Sequence, residues 1–233
     1  MFSHQTNSAN SQHPYKYIIA VDFEATCFRD QPRLAELRKS EIIEFPAVLF
    51  NLKTGQIEAQ FHQYVKPIER PILSEYCIEL TGITQQSVDN GIPLQNAFKL
   101  FEDWLRKELR SRNLMLPKES KENKQGNCAF VTWSDCDFGI FLHNECRRKG
   151  LVKPKYFNQW IDMREICMNK YGNKTSKFSY ALSYVGVQFV GKKHSGIDDA
   201  KNLAALTQKL VNNGVTLKIT TDLTPTEWNL NCF

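Results

Sequence analysis

Residues 17–27 read Tyr-Ile-Ile-Ala-Val-Asp-Phe-Glu-Ala-Thr-Cys, an apolar run that ends in two acids one residue apart, Asp22 and Glu24. An unbroken run of this kind predicts a central β-strand buried on both faces. A strand projects residues i and i+2 to the same side, so Asp22 and Glu24 are expected to point together from its C-terminal end. Two carboxylates held so close repel unless a cation or a proton lies between them. The stretch is therefore read as half of a divalent-metal site, the alternative being two solvated acids at a loop. The choice depends on whether the chain supplies further acids and a base.

The 233 residues suit one large domain with a substantial core. The formal charge of +5 and a pI near 8.8 permit a polyanionic partner without establishing one. Seven cysteines, at 27, 77, 128, 136, 146, 167 and 232, include no CxxC pair and no metal-ligand spacing. They fit a reducing, intracellular compartment in which thiols serve as small apolar groups. No apolar run approaches a membrane span, and residues 1–14 contain no secretory h-region.

Residues 1–14 form a polar tail expected to be disordered, and 28–40 an exposed loop or short helix. Glu41–Asn51 and Gln56–Val65 read as two strands of a hairpin turning at Lys53-Thr54-Gly55. Ser74 and Thr84 can each cap a short helix, and Leu94–Leu109 carries apolar residues at helical period. Residues 111–127, rich in Lys, Glu, Asn and Gln, are expected to be a surface insertion. Cys128–Trp133 and Phe157–Met163 read as strands. Helices are expected over Asp137–Arg148, Arg164–Lys170, Phe178–Val185 and Asp198–Val211. A hairpin followed by strand–helix alternation predicts an α/β fold with a mixed five-stranded sheet flanked by helices.

Two further positions have the geometry the first acids need. Asp137 follows the strand ending at Trp133, and so lies at the C-terminal sheet edge where ligands bind in open α/β sheets. Asp199 falls in the first turn of the last helix, where the dipole favours a carboxylate. His194 sits five residues earlier, on a loop between Gly191 and Gly196. The ordered set DxE…D…HxxxxD is far more specific than any member alone.

On these motifs the chain resembles the DEDDh 3′–5′ exonucleases of the ribonuclease H-like superfamily. The wording VDFEATC, LTGIT and HSGIDDAKNLA is similar to the histone-mRNA and small-RNA 3′ exonuclease subfamily. The likeness runs from about Lys16 to Val211 and implies one nuclease domain over residues 15–220, with a C-terminal tail at 221–233. That subfamily often carries a separate N-terminal SAP domain, which the short polar tail is not expected to hold.

The resemblance implies that Asp22, Glu24, Asp137 and Asp199 hold two Mg²⁺ ions, for which Mn²⁺ can substitute. Asp22, Glu24 and Asp199 would hold the ion that presents the attacking water. Asp22 would bridge to the second ion, and Asp137 would act through waters. His194 would be the general base, since an ordinary histidine titrates at about 6.5. The product would be a nucleoside 5′-monophosphate.

For the 3′ end itself, the resemblance implies that Glu24, Ala25 and Thr26 meet the terminal sugar, with His194 beside it, while Tyr76 and Leu80 pack on the terminal base. Members of the family commonly place Trp before the second-motif Asp and Met after it. Here those positions are Cys136 and Phe138, and Phe138 can restore an aromatic face. Lys192 and Lys193 can contact phosphates. The implied partners are single-stranded RNA or DNA 3′ ends, including structured ends with overhangs, and no membrane. No heptad or apolar surface stripe argues for more than a monomer. Two other classes stand beside this reading: an interaction module that kept the fold without catalysis, and a metal-dependent phosphatase. Retention of all five motif residues argues against the first, and the HxxxxD spacing against the second.

Overall fold

The computed structural model describes residues 13–29, 35, 37–118 and 126–223. The long apolar run forms β1 (Tyr17–Val21), collinear with the two-residue β2 (Glu24–Ala25). Both lie along one side of β3 (Ile42–Asn51), antiparallel to it, while β4 (Gln56–Tyr64) pairs with the other side. On its far side β1 pairs in parallel with β5 (Cys128–Thr132), and β5 with β6 (Gln159–Asp162). The short β7 (Thr221–Asp222) closes the edge antiparallel to β6.

The expected five-stranded mixed sheet is thus present as β4, β3, β1, β5 and β6, extended by β2 and β7 to seven strands among the described residues. Residues 221 and 222 belong to this sheet rather than to a tail; two residues are too few to print an alternating pattern. Residues 1–12 and 224–233 lie outside the described part.

Helices cover both faces. α1 (Glu75–Thr81), α2 (Gln85–Asp89) and α3 (Leu94–Ser111) precede β5; α4 (Leu142–Lys149), α5 (Met163–Tyr171), α6 (Phe178–Val185) and α7 (Gly196–Asn212) follow it. Alternation along β1 divides the core. Ile19 and Val21 pack with α3 and the Phe45–Phe101–Phe157 aromatic group, and Ile18 and Ala20 with α5, α6 and α7. Each fully buried Leu on α7, such as Leu206 and Leu210, contributes about 1.5–3 kcal/mol to this second layer.

The surface insertion expected at 111–127 is more firmly held at its borders than its composition suggests. Leu114 and Leu116 are buried in the α3-side core, and residues 119–125 lie outside the described part. The segment expected as a loop or helix at 28–40 is largely outside it as well. No helix of the described residues is long and apolar enough to cross a membrane.

Candidate active site

β1 ends at Val21, and the chain breaks strand geometry at Asp22 and Phe23 before re-pairing at Glu24. The break exposes the Phe23 amide, which donates to Asp137 Oδ1 at 2.7 Å. Asp137 is thereby tied to the backbone amide that separates the two first-motif acids in sequence. It lies in a π-helical turn, Cys136–Phe141, in which the Leu142 amide reaches back to the Asp137 carbonyl.

That turn was expected to open an ordinary helix; the wider one places Asp137 at the site and sends Phe138 inward. Phe138 is 0 % exposed, with its ring 4.7 Å from Phe157 and 5.7 Å from Phe130. It therefore offers no face to a ligand, which corrects its assignment as a substrate contact.

Asp199 enters from the first turn of α7, and ligand oxygens of Asp22, Glu24 and Asp199 all lie within 4.8 Å of one another. The charged groups acting most on Asp22 are all acids: Asp137, Asp199, Glu24 and Glu44. Burial, and then this repulsion, raise Asp22 and Glu24 well above the carboxylate range. Burial likewise pushes Asp137 and Asp199 up to about 7, although each accepts a backbone amide, from Phe23 and His194 respectively. Oxygen donors alone, crowded and short of positive charge, suit a hard divalent cation.

His194 adopts a left-handed backbone with φ 61°. Its amide donates to Asp199 Oδ2 at 2.7 Å, so the strained residue is fastened to a metal-ligand candidate. Partial burial, and then Lys193 and Lys192, hold the imidazole below its ordinary pKa, favouring the neutral, proton-accepting form. Lys192 lies across Gly82, where an added Cβ would come within 1.7 Å of its Nζ. The histidine loop therefore touches the C-terminal end of α1.

α1 is fixed beside the first motif by its cap. Ser74 Oγ accepts the Cys77 amide and donates to the Cys27 carbonyl at 2.6 Å. Tyr76 and Leu80 share one face and are half-buried, outside the cluster of Ile43, Leu73, Cys77, Ile83 and Val88 on which α1 rests. The Arg29 guanidinium lies 5.3 Å from the Tyr76 ring centroid. Ala25 is buried, and Thr26 Oγ1 accepts the Glu41 amide at 3.0 Å. The Thr26 hydroxyl oxygen is thus engaged in strand pairing.

A fifth acid belongs to this neighbourhood. Glu44, in β3 and 2 % exposed, accepts the Gly196 amide at 2.9 Å and the Ile197 amide at 3.2 Å, with His62 Nε2 2.8 Å away. It satisfies the first amides of α7, a task the preceding Ser195 side chain does not perform. The available sequence signal was an acid within the apolar stretch IIEFPAVLF.

Comparison with known proteins accords with this geometry. A family model described as Exonuclease (RNase T) matches residues 19–207. The chain belongs to this family. The exonuclease is 61 % identical over 212 residues to the 3′-5′ exonuclease Snipper of Drosophila melanogaster, covering 91 % of this chain and 75 % of that protein. It is 43 % identical over 228 residues to human ERI1 exoribonuclease 2, covering 96 % of this chain but only 33 % of that one. The chain therefore spans about a third of this longer relative.

Among solved structures, the nuclease domain of 3′hExo, a DEDDh family member bound to rAMP, matches with a TM-score of 0.76 and 33 % identity. That match covers 90 % of this chain and 98 % of the other. The exonuclease is thus a ribonuclease H-like protein of the DEDDh 3′–5′ class, a class that depends on divalent metal, and its carboxylates fit one.

Proposed function

We propose that this chain removes nucleoside 5′-monophosphates one at a time from the 3′ ends of single-stranded RNA, and of DNA, with two Mg²⁺ ions as cofactors and Mn²⁺ as a substitute. The observation that carries the reading is the convergence of Asp22, Glu24 and Asp199 within 4.8 Å, with Asp137 tied to the Phe23 amide between them. Divalent ions held by these four acids would supply a nucleophile at neutral pH and charge stabilisation at phosphorus.

The remaining roles fall to the chain's own groups. His194, largely neutral at physiological pH, accepts the proton of the attacking water, and its amide contact with Asp199 keeps it at the site. Tyr76 and Leu80 receive the terminal base by stacking, which tolerates any sequence. Backbone groups of Ala25 and Thr26 meet the terminal sugar. RNA is the favoured substrate by likeness to relatives named exoribonucleases. We infer a monomer residing inside the cell, in keeping with a cysteine set suited to a reducing compartment.

The test is cleavage of 5′-labelled single-stranded RNA and DNA of one sequence, with Mg²⁺, with EDTA, and with Asp199→Ala. A ladder shortening by single nucleotides from the 3′ end, absent in both controls, is expected. Full-length substrate that stays bound but uncut would overturn the reading.

A further inference from the structure

From Cys167 to Ile197 the chain has no Asp or Glu, while lysine occurs at 170, 174, 177, 192 and 193. Five lysines without an acid give this one segment +5, the same as the formal net charge of the whole chain. Among the described residues none of the five forms an ion pair with a carboxylate. A segment with this excess of positive charge attracts a polyanion.

Within this segment the exposed face of α6 is aromatic. Tyr180 and Tyr184, at i and i+4 on α6, are 56 % and 47 % exposed. Lys177 Nζ lies 5.4 Å from the Tyr180 centroid, and Lys174 Nζ 4.2 Å from that of Tyr184. Exposed rings each covered by a displaceable ammonium group suit a strand whose bases stack and whose phosphates carry charge. The face also begins at the acidic edge of the sheet. Phe178, at the start of α6, has its ring 5.0 Å from Trp133, which directly follows β5, the strand leading to Asp137. At its other end α6 runs into the loop that carries His194.

We propose that the exposed face of α6, with Lys174, Lys177, Tyr180 and Tyr184, is a track for single-stranded nucleic acid upstream of the 3′ nucleotide being removed. The proposal rests on the exonuclease reading and adds to it where the uncleaved strand is held. Bases stack on Tyr180 and Tyr184, and the two lysines swing from the rings to the neighbouring phosphates.

The experiment compares the full chain with Lys174→Ala/Lys177→Ala and with Tyr180→Ala/Tyr184→Ala, on a single-stranded 20-mer and on a dinucleotide, with Mg²⁺. For the 20-mer, KM is expected to rise roughly tenfold in each double variant. Only the lysine pair should flatten the slope of log KM against log salt, by about 0.7 per lost phosphate contact. Dinucleotide kcat/KM should stay within about twofold, because two nucleotides do not reach the track. An unchanged 20-mer KM in both variants would overturn the proposal and leave the face to a protein partner. An equal loss on the dinucleotide would also overturn it, showing a general effect on the site. If the parent chain cuts neither substrate, the exonuclease reading fails by itself; fluorescence anisotropy with the 20-mer then decides the track, weaker binding by both variants supporting it and unchanged binding refuting it.

Discussion

Glu44 and Gly196 stand 152 positions apart in the chain and are joined by a 2.9 Å hydrogen bond from the Gly196 amide to the Glu44 carboxylate. Gly196 is pressed so closely to the end of β1 and to β3 that a Cβ would meet the Asp22 carbonyl at 2.5 Å and Pro46 Cγ at 3.0 Å. Glu44 thus seats the helix that carries Asp199 directly against the segment just past β1 that carries Asp22.

Glu44→Ala removes the acceptor of the buried Gly196 amide and the half-buried Ile197 amide, and the partner of His62. A stability loss of about 2–3 kcal/mol is expected in urea unfolding. A fall of roughly 10- to 100-fold in kcat should accompany it, with KM little changed. Glu44→Gln, which keeps one acceptor oxygen, should lie between the two. An unaltered kcat in the alanine variant would show that α7 finds its seat without Glu44.

The crowded acids make metal-free stability depend on pH. Asp137 and Asp199 titrate near 7 in the folded chain, against an ordinary value of 3.8. Between about pH 4 and 7 the folded state therefore binds more protons than the unfolded state, and stability falls as pH rises through that window. In EDTA the Tm at pH 8 is expected to lie below that at pH 5.5 by on the order of 5 °C. Millimolar Mg²⁺ should raise the Tm more at pH 8 than at pH 5.5. Differential scanning calorimetry reads both effects.

Neutralising one acid should separate stability from activity. Asp22→Asn removes a charge from a group whose charged neighbours are acids. Exonuclease activity is expected to drop by at least about a thousandfold, the scale on which losing a key catalytic group acts. The metal-free Tm at pH 8 should nevertheless rise by a few degrees. A lower Tm would mean that the acids are not in net repulsion.

A second buried charge group is structural. Lys149 Nζ lies 2.7 Å from Glu41 and 2.5 Å from Glu145, both acids fully buried. Glu41 also accepts the Ile68, Glu69 and Arg70 amides, and Glu145 the Ile42 amide, so the group pins the start of β3. Lys149→Met leaves two buried carboxylates without a counter-charge and should cost about 3–5 kcal/mol in chemical denaturation. Activity per folded molecule should be retained at low temperature.

The paired acids, the order of the motifs and every long element were legible because apolar periodicity and helix caps are local signals. Ser74 and Thr84 cap the helices assigned to them, and α6 spans Phe178–Val185 as expected. What escaped depended on distant neighbours. Glu44 looked like a strand residue because its partners lie on α7. Phe138 sits beside a site acid in sequence, yet the widened turn sends its ring into a core built from β5, β6 and the segment before β6. Leu114 and Leu116 lay within a polar stretch whose composition outweighed them.

The π-helical turn at Cys136–Phe141 acts as a vernier between two frames. On one side of it Asp137 is registered to the Phe23 amide; on the other, Leu142 and Cys146 are registered to the core. Deleting one residue from this turn would let it tighten to an ordinary helix, in which each residue advances the direction by about 100°. The acid and the apolar stripe could not then both keep their places. The length of this turn therefore sets the register between Asp137 and the core, independently of which side chains fill it.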